Sequence, residues 1–227
     1  MSKGRQQAEY LRDYLCDVQV DLVITSKLIR THETAGIVLQ KHANVPVLSV
    51  EDLAEISWGN MEGSPTVVAK SLVDQWNAGD YHGKITLGVI HPPSVATPEG
   101  ETPAQVEKRA IPAIYALLNR PEQTIIFICM DLIPSRVLIL KVHGRLLRII
   151  LSSLLYHNLD KMASFTHHNT SINLVDAIIE TDSEKLPQED GLPQETQVFH
   201  PPNIKFVPVF LDNRDHLPPD FQGRNTN

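Results

Sequence analysis

The sequence predicts an α/β sandwich built on a mainly parallel sheet. Short, continuously apolar, β-branched runs alternate with stretches whose apolar residues recur at helical spacing, and Gly, Pro and Ser punctuate the joints between them. Strands that alternate with helices in this way pair in parallel. At 227 residues, 42% hydrophobic and 21% charged, the chain can build one good core, so a single domain over residues 1–227 is expected.

Taken in order, Ala8, Leu11 and Leu15 fall at i, i+3 and i+7 and put one apolar face on a helix over residues 4–15. Residues 20–25 (Val-Asp-Leu-Val-Ile-Thr) read as a buried strand, 28–42 as a helix and 46–50 as a further short strand. Gly59 and Gly63 make residues 53–63 a loop around Trp58. Ser64-Pro65 then opens a helix that buries Val68, Leu72 and Trp76. Glycines and prolines over 77–100 mark an irregular insertion. Thr102-Pro103-Ala104-Gln105 carries the capping-box pattern of a helix to about residue 119, which Pro112 is expected to kink. Residues 124–129 and 136–142 read as strands, 145–156 as an amphipathic helix, and 171–180 and 204–211 as the last strands. Pro208 restricts the final one to an edge or a bulge. Between those two, 181–203 is an acidic, Pro-rich stretch expected to be mobile.

The net charge of −7 argues against broad nucleic-acid or anionic-membrane binding, so any anion site must be local. Only Cys16 and Cys129 are present, in neither a disulfide framework nor a zinc pattern. With no apolar signal core at the start and no uninterrupted membrane-length run, a soluble, cytoplasmic protein is expected.

Three places could carry chemistry. Arg30 follows a strand at the start of a helix, on the sheet edge where open α/β folds bind ligands; it is either a phosphate grip or a solvated surface arginine. Glu55 precedes the glycine-flexed loop with its aromatic wall; it is either a general acid or a loop glutamate paired with a lysine. His143, in His143-Gly144-Arg145, joins a strand to a helix and could face an anion along with the amides beyond it, or be a buried, hydrogen-bonded histidine. The pair His167-His168, with His157 nearby, lacks a carboxylate at ligand spacing, so no metal is expected.

In this order, the stretches 4–8, 26–35, 55–63, Gly100-Glu101-Thr102-Pro103 with Arg109, His143-Gly144-Arg145 and Asp215-His216-Leu217 resemble the histidine phosphatase superfamily, in particular its phosphoglycerate mutase-like branch. The resemblance implies a three-layer α/β/α sandwich and a site at the carboxyl ends of the strands. It also implies a reaction on phosphomonoesters through phosphohistidine, with no cofactor. Arg30 would clamp phosphate, Glu55 protonate the leaving oxygen and His143 stabilise the phosphoryl group. The partner would be a phosphorylated small molecule, and phosphatase and mutase activities would share the pocket.

Family members place the nucleophilic histidine in an Arg-His-Gly motif that ends a first, central strand, and these 227 residues contain no such sequence. The expectation is therefore an N-terminally truncated chain, impaired or inactive, whose sheet must close up around a missing strand or fill the gap. Its alternatives are a non-catalytic phosphate-ligand or partner-binding relative, or a non-functional fragment. Residues 86–97 and 130–141 look intrusive, as an imperfect gene model would leave them. If both strands around 130–135 form, that short link favours a hairpin.

Overall fold

The computed structural model describes residues 3–59, 62, 66–81, 100–120, 125–127, 137–140, 144–180 and 198–222. His143, residues 86–97 and most of the stretches 77–100 and 181–203 lie outside these residues, as do the side chains of Val68 and Leu72 on the expected helix face.

In chain order the elements are α1 (Lys3–Tyr14), β1 (Leu22–Thr25), α2 (Ile29–Val38), β2 (Val47–Ser49), α3 (Thr66–Asn77), α4 (Pro103–Leu118), β3 (Ile125–Phe127), β4 (Val137–Leu140), α5 (Gly144–Tyr156), β5 (Ile172–Ile179) and β6 (Ile204–Asn213). The strands form one sheet in the order β2-β1-β3-β4-β5-β6. β2, β1, β3 and β4 run parallel, and β5 and β6 each run antiparallel to the strand before them.

Two apolar clusters lie on the two faces of this sheet. Val23 joins Leu11 and Leu15 at the end of α1 and Ala35 and Val38 of α2. Leu22 and Ile24, whose side chains leave the strand on the opposite face, join Val106, Ala110 and Ile114 of α4 and Leu146, Ile149 and Ile150 of α5. Helices therefore cover both faces in three layers, which is why every residue of β1 is buried. Thr102 closes the expected capping box: its hydroxyl accepts from the Gln105 amide at 3.2 Å, and its own amide donates to Gln105 Oε1 at 2.9 Å. α4 then runs through Pro112 as one helix. Pro208 sits in β6, at the edge of the sheet, where the register with β5 shifts beside Val175.

The middle of the sheet is filled: β3 lies there, its Ile126 in register with Val23 of β1 and its Phe127 with Ile139 of β4. One expectation is corrected: β3 and β4 do not form a hairpin, because their pairing is parallel. β4, drawn from the stretch that looked intrusive, pairs with β3 on one side and over four residues with β5 on the other. A central strand is stabilised by two ladders at once, and that overrides the preference a short link has for a hairpin.

Candidate active site

Because β1, β2 and β4 share one direction, the turns that follow them emerge at one edge of the sheet. Ser26 to Arg30 follow β1, Glu51 to Glu55 follow β2, and Gly144 to Leu146 lie just beyond β4. β5 and β6 complete the same edge from the other side: Ile172 pairs with Leu140 and with Asn213, so the approach to β5 and the exit of β6 both reach it. The topology thus gathers His167, His168, Asp212 and His216 with Arg30 and Glu55.

Arg30 is the second residue of α2 and is exposed. The turn before it is tied by Thr31, whose hydroxyl lies 2.6 Å from the Leu28 carbonyl and 3.0 Å from that of Ser26. The Val50 amide donates to the Thr25 carbonyl at 2.8 Å, holding the exits of β1 and β2 together. Above this corner the Lys27 ammonium pairs with Glu51 rather than with Glu55.

Glu55 is held by backbone amides and, among the described residues, not by a lysine. Its Oε1 accepts from Ile56 N at 3.0 Å and Leu146 N at 2.8 Å, and its Oε2 accepts from Arg145 N at 3.2 Å. Leu146 and Arg145 belong to the first turn of α5, whose amides have no partner within the helix and whose dipole favours a negative charge. The amides of Arg145 and Leu146 thus face the Glu55 carboxyl group. The expected acid and the turn that carries His143 are therefore brought together, although His143 itself lies outside the described residues.

Further contacts fix the Glu55 segment. Arg109 holds Glu101 through two parallel bonds, Nε to Oε1 at 2.7 Å and Nη2 to Oε2 at 2.8 Å, and reaches the carbonyls of Asp52 at 2.6 Å and Glu55 at 3.4 Å. The Glu101 carboxylate accepts from Ser57 N at 2.9 Å, and the Glu101 amide donates to Ser57 O at 2.8 Å. Burial alone would raise the Glu101 carboxyl, but the bonds from Arg109 and Ser57 and the Arg109 charge together hold it below its ordinary value. Gly100 permits this approach, since a Cβ there would lie 2.7 Å from Ser57 O. Gly59 turns the loop with a positive φ of 52°.

His167 and His168 turn to different partners. Arg148 Nε donates to His167 Nδ1 at 3.3 Å; an arginine can only donate, so a neutral His167 ring carries its proton on Nε2. That Nε2 lies 2.5 Å from where a Cβ on Gly144 would stand, so the ring covers the first residue of α5. His168 faces away to Asp212, with Nδ1 2.7 Å from Oδ2 and its amide 2.8 Å from Oδ1. His216 is held by burial at about 4, against an ordinary 6.5, with Nε2 3.4 Å from the Thr170 hydroxyl. The sequence holds no sign of His167 over α5: adjacent residues point in different directions, but their spacing does not say to which partners.

The arrangement offers a carboxyl group at a helix terminus, an exposed guanidinium one strand away and imidazoles around the same edge, the composition of a site for a charged oxygen ligand. No helix of the described residues is long and apolar enough to cross a membrane.

Comparison with known proteins agrees with this geometry. The sequence model of the histidine phosphatase superfamily (branch 1) matches residues 1–185. A probable phosphatase of Schizosaccharomyces pombe is 31% identical over 81 residues, which are 36% of this chain and 38% of that protein. The chain thus aligns to well under half the length of the curated relatives it matches. Among solved structures, YhfR of Bacillus stearothermophilus superposes with a TM-score of 0.56 at 24% identity, over 80% of this chain and 79% of that one. A mycobacterial glucosyl-3-phosphoglycerate phosphatase in complex with inorganic phosphate does so with a TM-score of 0.59 at 15% identity, over 94% and 87%. At such identities the superpositions speak to the fold, and the match over residues 1–185 speaks to descent: the chain belongs to the histidine phosphatase superfamily, branch 1.

Proposed function

We propose that these residues form the phosphate-holding part of a phosphomonoesterase site, which acts in the family through a phosphohistidine. The observation that carries this reading is Glu55, fixed by two amides of the first turn of α5 directly after His143-Gly144. In this reading Arg30 clamps the phosphate, His143 stabilises the transferring phosphoryl group, and Glu55 protonates the leaving oxygen. Among the described residues Oε2 accepts one bond, which leaves it room to carry that proton. The phosphate complex of the mycobacterial neighbour supports the ligand class.

The two-step reaction needs a nitrogen nucleophile to take the phosphoryl group as the ester P–O bond breaks, and water to release it afterwards. These 227 residues have no Arg-His-Gly sequence to supply it. The purified 227-residue chain is therefore expected to gain thermal stability from inorganic phosphate while leaving an aryl phosphate unhydrolysed. Turnover well above background that vanishes in His143→Ala would refute the inactive part of this reading. A phosphate response that persists in Arg30→Ala would refute the pocket.

A further inference from the structure

Arg145 is unlike the other arginines at this edge. Its guanidinium lies 5.8 Å from the Trp58 ring centroid and 5.9 Å from that of Trp76, and the two indoles stand 5.7 Å apart at a tilt of 35°. Among the described residues, no oxygen accepts a hydrogen bond from this guanidinium and no carboxylate forms an ion pair with it. Arg148 lines the same cleft, together with Trp76, Asn77 and Pro103, and the lining includes no carboxylate. Burial first, and the Arg148 charge second, lower the hold of Arg145 on its proton, with Glu55 acting in the opposite sense. Two indole faces attract a cation and keep water from it, but they leave its N–H donors without acceptors.

The position of this cation is informative. Its backbone amide bonds Glu55 Oε2 and its guanidinium charge feels that of Glu55, so this cation neighbours the acid of the proposed site, where the leaving group of a phosphate ester would lie. We propose that Arg145, set between Trp58 and Trp76, is a second anion subsite that takes a carboxylate or phosphate carried by the leaving group of the phosphomonoester. The inference rests on the reading of the site as a phosphate pocket and adds the substrate class. A planar guanidinium matches either group with two parallel bonds.

Isothermal titration of the 227-residue chain with inorganic phosphate, ethyl phosphate and phosphoglycolate separates the two ideas, because the last two differ by a carboxylate. Phosphoglycolate is expected to bind about tenfold more tightly than ethyl phosphate, equivalent to about 1.4 kcal/mol. Ethylene glycol bisphosphate, compared on the same scale, tells whether a phosphate or a carboxylate is preferred. The ratio should fall below about twofold in Arg145→Gln and remain partly in Arg145→Lys, which keeps the charge without the fork. Should Arg145→Gln fail to fold, the wild-type ratio and its loss in Trp58→Leu decide the matter. Equal binding of ethyl phosphate and phosphoglycolate, with inorganic phosphate still bound, overturns the subsite alone. So does a ratio that survives Arg145→Gln. Failure of all the ligands to bind overturns the phosphate pocket as well.

Discussion

Replacing Glu55 with alanine tests the contact on which the site is built. The change leaves three amides without their acceptor, those of Ile56, Arg145 and Leu146. Ile56 is 2% exposed and Leu146 0%, so water has poor access to two of the three, whereas Arg145 is half-buried. An orphaned buried donor costs about 1–3 kcal/mol. Losing a negative charge at a helix N-terminus costs about 0.3–1 kcal/mol. With partial relaxation, Glu55→Ala is expected to cost about 2–4 kcal/mol in all. Glu55→Gln keeps an oxygen for Leu146 and Ile56 but turns an amide group toward Arg145 N–H, and should cost about 1–2 kcal/mol. In a domain of this size each kcal/mol lowers the melting midpoint by about 2–4 °C, so the two variants separate in a thermal scan, and urea unfolding gives the energies. A Glu55→Ala protein within about 0.5 kcal/mol of wild type would refute the reasoning, since surface changes lie in that range. Equal costs for the alanine and glutamine variants would refute the assignment of the individual oxygens.

Further outcomes follow from the surrounding contacts. Gly100→Ala places a methyl group against the backbone of Ser57 and Trp58, and should cost about 1–3 kcal/mol in urea unfolding; an unchanged midpoint would contradict the close approach. Glu101 sits below its ordinary 4.5, so the stability it contributes is present above that pH and is lost as pH falls through its lower folded value. The limb of the stability curve below pH 4.5 should therefore be shallower in Glu101→Gln, and an identical limb would remove Glu101 as its source. Burial, aided by His157, holds His200 at about 4 against 6.5. Over that interval the unfolded chain binds a proton that the folded one refuses, so stability falls on acidification from pH 6.5 to 4. His200→Gln should flatten this limb, and a slope equal to wild type would show another group responsible. Ile126→Pro deletes a ladder donor from the central strand and should leave little folded protein by circular dichroism; a native spectrum would argue against β3 in the middle of the sheet.

The parts of the fold that were legible in the sequence are those written in neighbouring residues. The face of α1 at Ala8, Leu11 and Leu15, the Thr102 capping box and the edge placement of Pro208 each depend on a few adjacent positions, and each is found. Strand partners were not legible, because a pairing such as Val23 with Ile126 leaves no mark in either run beyond apolarity. The same holds within the site. Glu55 and the turn at His143 could be picked out, but not the contact between Glu55 and Leu146, which are 91 positions apart. For Arg145, nothing in the neighbouring residues reveals that Trp58 and Trp76 close around it.

The filled centre of the sheet bears directly on the site. A turn can present Gly144 and Arg145 to Glu55 only if the strand before it is anchored, and β4 is anchored twice, by Phe127–Ile139 on one side and by the four pairs with β5 on the other. Removing residues 130–141 would restore the family's strand-to-His-Gly spacing in the sequence, but it would take away β4 and leave β5 to find the edge of β3 that β4 now occupies. β4, which lies within the stretch that looked intrusive, carries the sheet from its parallel strands to its antiparallel ones and comes just before α5, whose first turn Glu55 caps.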